Sequence, residues 1–413
     1  MSKLSGLPLW QRNLTAISIA QVLCILAFQA SFILIPYYVQ QMGMTDPAEV
    51  SRWTGLYQSI GGISFAIFTP IWGALGDRYG RRPMLIRATL ATALMLVMMG
   101  FARTPTQLMI MRGIQGSVTG TPAAASALLA TGTPKNRLAY ALGLQQTSLF
   151  IGTSLGPMFG GFVGDTFGYR ATFFVSSIIV FVALALVLFI VREPEESAAN
   201  SVQARKQSAL GGFKTLLTSR TMVALVLMSL AVNLTFGLTG PVMPLFIQAL
   251  AANQERIASI AGTVTGLAAV SAAVSALVVG RLSDSWGNRV TLLGCSIGAA
   301  LLYIPQSLAQ SVWHLGIALS AQGLFRGGIG PNISAMVVRS VPKEQTGAAL
   351  GLNSSFQSAG FAIGPLLGAA IMAATSARVV FLVAGAVFLL VAAALLWVHT
   401  PEQPEDNRAP EAV

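Results

Sequence analysis

The chain has 413 residues, 54% of them hydrophobic and 9% charged, with a mean hydropathy of +0.69. Soluble domains carry about 25% charged residues, so this composition excludes a globular protein with a solvated surface. The net charge of +11 would suit nucleic acid, but the basic residues sit in short loops between apolar runs, where they report membrane topology and argue against a nucleic-acid partner.

Apolar runs of about 20 residues or more are long enough to cross a bilayer as helices. Twelve such spans are predicted, at 14–39, 52–75, 83–102, 106–130, 138–163, 170–191, 221–250, 257–280, 290–309, 313–337, 347–373 and 377–398. The first holds Gln21 and Gln29 and lacks an Ala-x-Ala site after a short apolar core, so it is expected to stay as a helix and not to leave as a signal peptide. Cys24 and Cys295 fall inside predicted helices and imply no disulfide framework. With both termini placed in the cytoplasm, 18 of the 25 Lys and Arg lie on the inner side and 5 on the outer. That asymmetry obeys the positive-inside rule.

After span 2 comes Gly73-Ala-Leu-Gly-Asp77-Arg78-Tyr-Gly80-Arg81-Arg82-Pro83, an acid, three arginines and three glycines between two apolar runs. A second copy, Gly280-Arg281-Leu-Ser-Asp284-Ser-Trp-Gly287-Asn288-Arg289, follows 207 positions later. Pro36 and Pro244, Pro134-Lys135 and Pro342-Lys343, and Gly156-Pro157 and Gly364-Pro365 all recur at 208. So constant a register predicts two six-helix repeats. The expected architecture is an all-α integral membrane protein with bundles at 1–195 and 220–400, a polar cytoplasmic linker at 196–219 with a short surface helix around 209–217, and a polar tail at 401–413.

Parallel six-helix halves joined by a linker are the architecture of major facilitator transporters, and the motifs resemble that family. Gly73 to Arg82 is similar to its loop 2–3 signature, Leu108-Met-Ile-Met-Arg112-Gly-Ile-Gln115-Gly116 to its span-4 arginine motif, and Gly152-Thr-Ser-Leu-Gly156-Pro157-Met-Phe-Gly160-Gly161 to the span-5 signature of exporters. The resemblance implies a twelve-helix drug:proton antiporter. Such a protein is a secondary active multidrug efflux pump of the bacterial inner membrane that exchanges amphiphilic compounds for protons by alternating access. It is not an enzyme, has no cofactor or metal, and works as a monomer in the bilayer. The alternative is a dedicated exporter of one endogenous metabolite, such as a siderophore or sugar derivative; a third reading is a membrane sensor that transports nothing. ATP-driven transport is disfavoured, because the chain contains no Gly-Lys pair and so no P-loop.

By resemblance, Asp77 faces the start of span 11 and latches the outward-facing state, with Gly73, Arg78, Gly80 and Arg81 around it. Gly280 and Asp284 form a weaker copy, with Asn288 in the place of Arg81. The plainer reading is a loop-capping acid beside topology-setting arginines. Within the membrane, Arg112 of span 4 and Arg326 of span 10 break the repeat, standing opposite Leu319 and Thr119. A charge at a span centre costs about 2.5–3.5 kcal/mol on insertion scales, so each is expected to face the bundle interior and serve proton coupling or substrate charge, or else to snorkel or bond backbone carbonyls. No Asp or Glu falls mid-membrane, which favours anionic or zwitterionic substrates and leaves Asp77, Asp284 and Asp165, or the substrate itself, to carry a proton. Asp165 is read as an interfacial partner of Arg170. The span-5 residues Gly152, Gly156, Pro157, Gly160 and Gly161 are expected to shape a close helix–helix contact. Gln29, Phe32, Gln115, Gln145, Gln146, Asn233, Phe236, Asn332, Asn353, Phe356 and Gln357 are the cavity candidates, each equally suited to a helix–helix hydrogen bond.

Overall fold

The computed structural model describes residues 8–193, 219–251, 255–342 and 345–397, and the side chains of Asp77, Lys135 and Asp284 lie outside the described residues. The linker other than Ser219, the surface helix expected at 209–217 and the 401–413 tail also lie outside them. Among the described residues the chain is helical throughout. The first half holds α1 (Leu9–Phe32), α2 (Ile35–Gln41), α3 (Pro47–Tyr79), α4 (Arg81–Gly100), α5 (Pro105–Val118), α6 (Thr121–Gly132), α7 (Leu138–Phe167) and α8 (Tyr169–Ile190). The second holds α9 (Arg220–Thr239), α10 (Met243–Leu250), α11 (Ile257–Trp286), α12 (Asn288–Leu301), α13 (Tyr303–Ser307), α14 (Val312–Arg326), α15 (Ile329–Arg339), α16 (Thr346–Ala374) and α17 (Ala377–Trp397). Among the described residues 9 helical stretches are long and apolar enough to cross a membrane. The predicted spans 106–130, 138–163 and 313–337 carry helix without meeting that criterion: the outer two are each split, and the middle one, inside α7, is diluted by Gly, Ser and Thr.

The splits have local causes. Pro36 and Pro244 stand in the first turns of α2 and α10, where a missing N–H is tolerated, and their rings disrupt the turn before. Gly120 takes φ +131, a conformation suited to glycine, between α5 and α6. Gly327-Gly328 separates α14 from α15 at the repeat-related place. Single continuous helices, as expected from hydropathy alone, are thus replaced by paired half-helices in spans 1, 4, 7, 9 and 10.

Buried apolar residues form two main clusters, one built from Leu14 to Val191 and one from Met222 to Leu395. Each borrows a tip from the other half: Ile33, Leu34 and Tyr37 join the second cluster, and Leu245, 208 positions after Tyr37, joins the first. Glycines set the close contacts. A Cβ on Gly156 would lie 2.6 Å from the Gln29 Cβ, and one on Gly364 would lie 2.5 Å from the Leu234 carbonyl oxygen, so α7 rides on α1 as α16 rides on α9. Lipid tails supply no hydrophobic drive between helices, so close van der Waals packing of this kind holds each half together.

The halves meet through α3 against α16 and α7 against α11. Contact runs from one end to the middle of these helices, where Gly62 lies against Ala362 and Gly266 against Ser154. At that end, Gly55 lies under Pro365 and Ala369, and Gly262 under Pro157. At the opposite end the same four helices carry Gly73, Gly143, Gly280 and Gly351, and no described residue stands within 4 Å of where a Cβ would be on any of them. These are two repeat-related pairs, 207 and 208 positions apart. Among the described residues the halves are in contact at one end, the closed end, and stand apart at these four glycines at the other, the open end.

Candidate functional site

Arg112 stands two turns into α5, a helix started by Pro105 and by the Thr104 hydroxyl, which accepts from the Gln107 N–H at 3.3 Å. The side chain is 6% exposed. Its Nη1 donates to Gln115 Oε1 at 2.6 Å, and its Cζ lies 5.0 Å from the ring centre of Phe28 and 5.3 Å from that of Tyr57. Gly61 of α3 leaves the room; a Cβ there would land on the guanidinium. The Nε is buried and makes no hydrogen bond among the described residues. Electron-rich ring faces stabilise the cation, and its Nε donor is left over by the described residues.

Arg326 ends α14 beside the Gly327-Gly328 break, where the free carbonyls of a helix C-terminus favour a cation. It is half-buried, with its Cζ 4.2 Å from the ring centre of Phe236. Phe236 is 42% exposed and stacks at 5.9 Å on Phe361 of α16, so it looks into the space between α9, α14 and α16. Phe28 and Phe236 are 208 positions apart. The two arginines therefore come from unequal places in the repeat and rest on equivalent rings.

The other cavity candidates divide. Phe32 and Gln29 are half-buried on α1, with Phe32 stacked on Phe28 at 5.7 Å. Gln115 is the Arg112 acceptor. Gln146 is exposed on α7, while Phe356, Gln357 and Asn233 are half-buried, the last bonded to its own helix at the Ser229 carbonyl. Gln145, Asn332 and Asn353 are buried in bonds between helices: Gln145 to the Pro122 carbonyl and the Ser126 hydroxyl, Asn332 to Ser283, and Asn353 to Ser229. Amides on the inner helix faces and amides in helix seams look alike in sequence.

At the open end, Gly80 turns with φ +96 between α3 and α4. The Glu193 carboxylate accepts from the N–H groups of Arg81 at 2.7 Å and Arg82 at 3.2 Å, capping α4. Gly73, Gly76 and Arg81 line a cavity of about 110 Å³ together with Trp72 and Arg87, whose Cζ lies 3.4 Å from the Trp72 ring. Arg78 is exposed, 5.4 Å from the ring centre of Tyr79. Of the glycines expected to allow close backbone approach, Gly73 has no described atom within 4 Å of where a Cβ would be, while Gly76 and Gly80 are approached by the side chains of Met84 at 3.3 Å and Glu193 at 2.8 Å and by no backbone.

At the closed end, Gln40 and Gln248, 208 positions apart, exchange amide hydrogen bonds of 2.9 and 3.1 Å across the halves. The Tyr37 hydroxyl donates to the Pro244 carbonyl at 3.0 Å. Asp165 takes a partner other than Arg170: its two oxygens accept from the backbone N–H of Ala258 at 3.2 Å and of Ser259 at 2.6 Å.

A family model described as Major Facilitator Superfamily matches residues 17–254 and 225–413. The chain belongs to that superfamily. Multidrug resistance protein MdtG of Citrobacter koseri is 33% identical over 386 residues, spanning 93% of this chain and 94% of the relative. The protein of that name from Klebsiella pneumoniae is 33% identical over 383 residues, spanning 92% of each chain. Among solved structures, the nucleoside transporter NupG superposes with a TM-score of 0.74 at 15% identity, over 93% of this chain and 98% of its own. The human organic anion transporter MFSD10 (TETRAN) superposes with a TM-score of 0.68 at 18% identity, over 94% of this chain and 100% of its own. This facilitator is a multi-pass membrane transporter and not an enzyme.

Three aromatic residues of the site, Phe28, Tyr57 and Phe361, were not among those expected from sequence. The repeat register that pairs Pro36 with Pro244 also pairs Phe28 with Phe236, and it was the available signal for the first. No periodic signal marks Tyr57 or Phe361, which are picked out by the arginine and the ring that they face.

Proposed function

We propose that this facilitator is a secondary active multidrug exporter of small amphiphilic, anionic or zwitterionic compounds, exchanging them for protons by alternating access. The observation that carries the reading is the pair of intramembrane arginines, Arg112 and Arg326, resting on the repeat-related rings Phe28 and Phe236. No acid stands in the span interiors to attract a lipophilic cation. A guanidinium backed by an aromatic face keeps its outward N–H groups for a carboxylate, sulfonate or phosphonate. Identity of 33% to MdtG over nearly the whole chain supports multidrug resistance as the setting.

The cycle rocks residues 1–195 against 220–400, with the 196–219 linker, the 401–413 tail and both termini in the cytoplasm, as the charge distribution favours. In that orientation the closed end is the outer one, and the structure is an inward-facing state. The four open glycines Gly73, Gly143, Gly280 and Gly351 are where the inner ends of the same helices approach when the outer end opens. Asp77, with Asp284 as its lesser copy, latches that second state. The protein works as a monomer. Proteoliposomes with an imposed pH gradient test the reading. An organic anion carrying an aromatic ring should move against its gradient and protons should appear in exchange, whereas a lipophilic cation should move at the rate of empty liposomes. Cation transport with no anion transport would overturn it.

A further inference from the structure

The long helices α3 and α11 occupy equivalent places in the two repeats, and each begins with N–H groups that have no partner inside the helix. They are satisfied in different ways. For α3, Asp46 is the residue just before the helix and accepts from its own Ala48 and Glu49 N–H groups at 3.3 and 3.2 Å. For α11, the residue just before the helix is Arg256, which cannot accept. It also stands at φ 59, the one positive-φ residue other than glycine among the described residues, and gives no side-chain cap. The second and third N–H groups of α11, those of Ala258 and Ser259, are taken by Asp165 at the end of α7, in the other half of the molecule.

A cap within one half is indifferent to the gate. A cap drawn from the opposite half exists only while the gate is closed. Backbone contact reinforces it: a Cβ on Gly161, one turn before Asp165, would meet the Ala258 carbonyl oxygen. We propose that Asp165 is the latch of the closed end, a helix cap supplied across the halves that holds this conformation by satisfying α11 only when α7 lies against it. Opening that end leaves the carboxylate and both N–H groups to find water. The proposal rests on the transport reading for its purpose, and the geometry stands apart from it.

The experiment places spin labels on Thr45→Cys and Ala249→Cys, both exposed at the closed end in opposite halves, with the native Cys24 and Cys295 buried. Distance distributions in lipid nanodiscs give the ratio of closed to open molecules. Asp165→Ala should lower that ratio about 5-fold, the effect of losing an ordinary helix cap, and Asp165→Asn, which keeps one accepting oxygen, should lower it less. Adding Arg256→Asp to Asp165→Ala caps α11 from its own half; thermal stability should recover while the ratio stays low. An unchanged ratio in Asp165→Ala overturns the proposal. So does a ratio restored by Arg256→Asp, because Asp165 then serves only the stability of α11. If the wild-type protein moves no organic anion in liposomes while Asp165→Ala still shifts the ratio, the transport reading falls and the latch stands.

Discussion

Replacing Arg112 by methionine separates its contribution to function from its contribution to the fold, because the first is expected to be large and the second near zero. In the structure the guanidinium has one hydrogen bond, to Gln115, and two ring faces, Phe28 and Tyr57. A charge-assisted bond contributes about 1.5–3 kcal/mol and each ring about 0.5–1. Against these stands the insertion cost of an intramembrane arginine, about 2.5–3.5 kcal/mol, and methionine fills much of the same volume. The balance is near zero, so Arg112→Met should unfold within a few degrees of wild type in detergent. Transport of an organic anion should behave otherwise. Losing a buried charge that pairs with substrate costs about 2–5 kcal/mol, which is at least a 30-fold fall in uptake rate per unit of substrate. Thermal unfolding followed by tryptophan fluorescence and flux into proteoliposomes give the two readouts. Normal flux in Arg112→Met would refute the substrate role, and a large fall in unfolding temperature would make Arg112 a structural residue.

Gly61→Ala should give a milder version of the same defect without touching Arg112, since the added methyl displaces the guanidinium; overpacking of about 1–2 kcal/mol corresponds to a 5- to 30-fold loss of anion flux. Phe236→Ala and Phe28→Ala should each raise the KM for ring-bearing anions more than for aliphatic ones, by about fivefold for a cation–π contact of about 1 kcal/mol; equal effects on both substrate types would remove the rings from recognition. Gln40→Ala and Gln248→Ala should be non-additive in the closed-to-open ratio at the closed end, with a coupling of about 1 kcal/mol for their shared bonds. Asp77→Asn should insert and fold normally yet export more slowly, by between about 2- and 30-fold if the acid gains from a helix dipole in the alternate state; full activity there removes the latch at that end from the mechanism.

The fold was legible because bilayer thickness converts directly into run length, and because the 207–208 register ties the two halves together residue by residue. The helix breaks were half visible. Pro36 and Pro244 stand at two of them and were read only as markers of the repeat, while Gly120 and Gly327-Gly328 are among 41 glycines in the chain, and nothing local distinguishes a glycine that breaks a span from Gly156, which packs inside one. Arg112 and Arg326 stood out because a charge in hydrocarbon demands an explanation. The amides did not. Gln115 and Gln145 have the same chemistry, yet one serves an arginine and the other ties α6 to α7. Asp165 was visible as an acid at a span end, but its partners are main-chain N–H groups 93 and 94 positions away, and no side-chain pattern encodes a backbone donor.

What the repeat keeps and what it breaks bear on different parts of the proposed cycle. Kept are Gly73 with Gly280, Gly143 with Gly351, Gln40 with Gln248, and Phe28 with Phe236. Three of these pairs lie on the helices and tips that close one end or stand apart at the other. Two equivalent halves that rock need the same clearances on both sides, so duplication at those positions follows from the motion. Broken are Arg112 against Leu319, Arg326 against Thr119, and Asp165 against Ala373. A substrate with one charged head and one apolar ring has no two-fold symmetry, and a site that holds it in one orientation gains by placing its cations unequally on equal rings. A gate that must favour one state when the cavity is empty likewise needs a bond that only one end can make. In the proposed cycle the departures from the register serve recognition and bias, while three of the four kept pairs mark the surfaces that rock. On this reasoning, Leu319→Arg restores symmetry at that pair and should impair transport, even though it adds positive charge to a site proposed to bind anions.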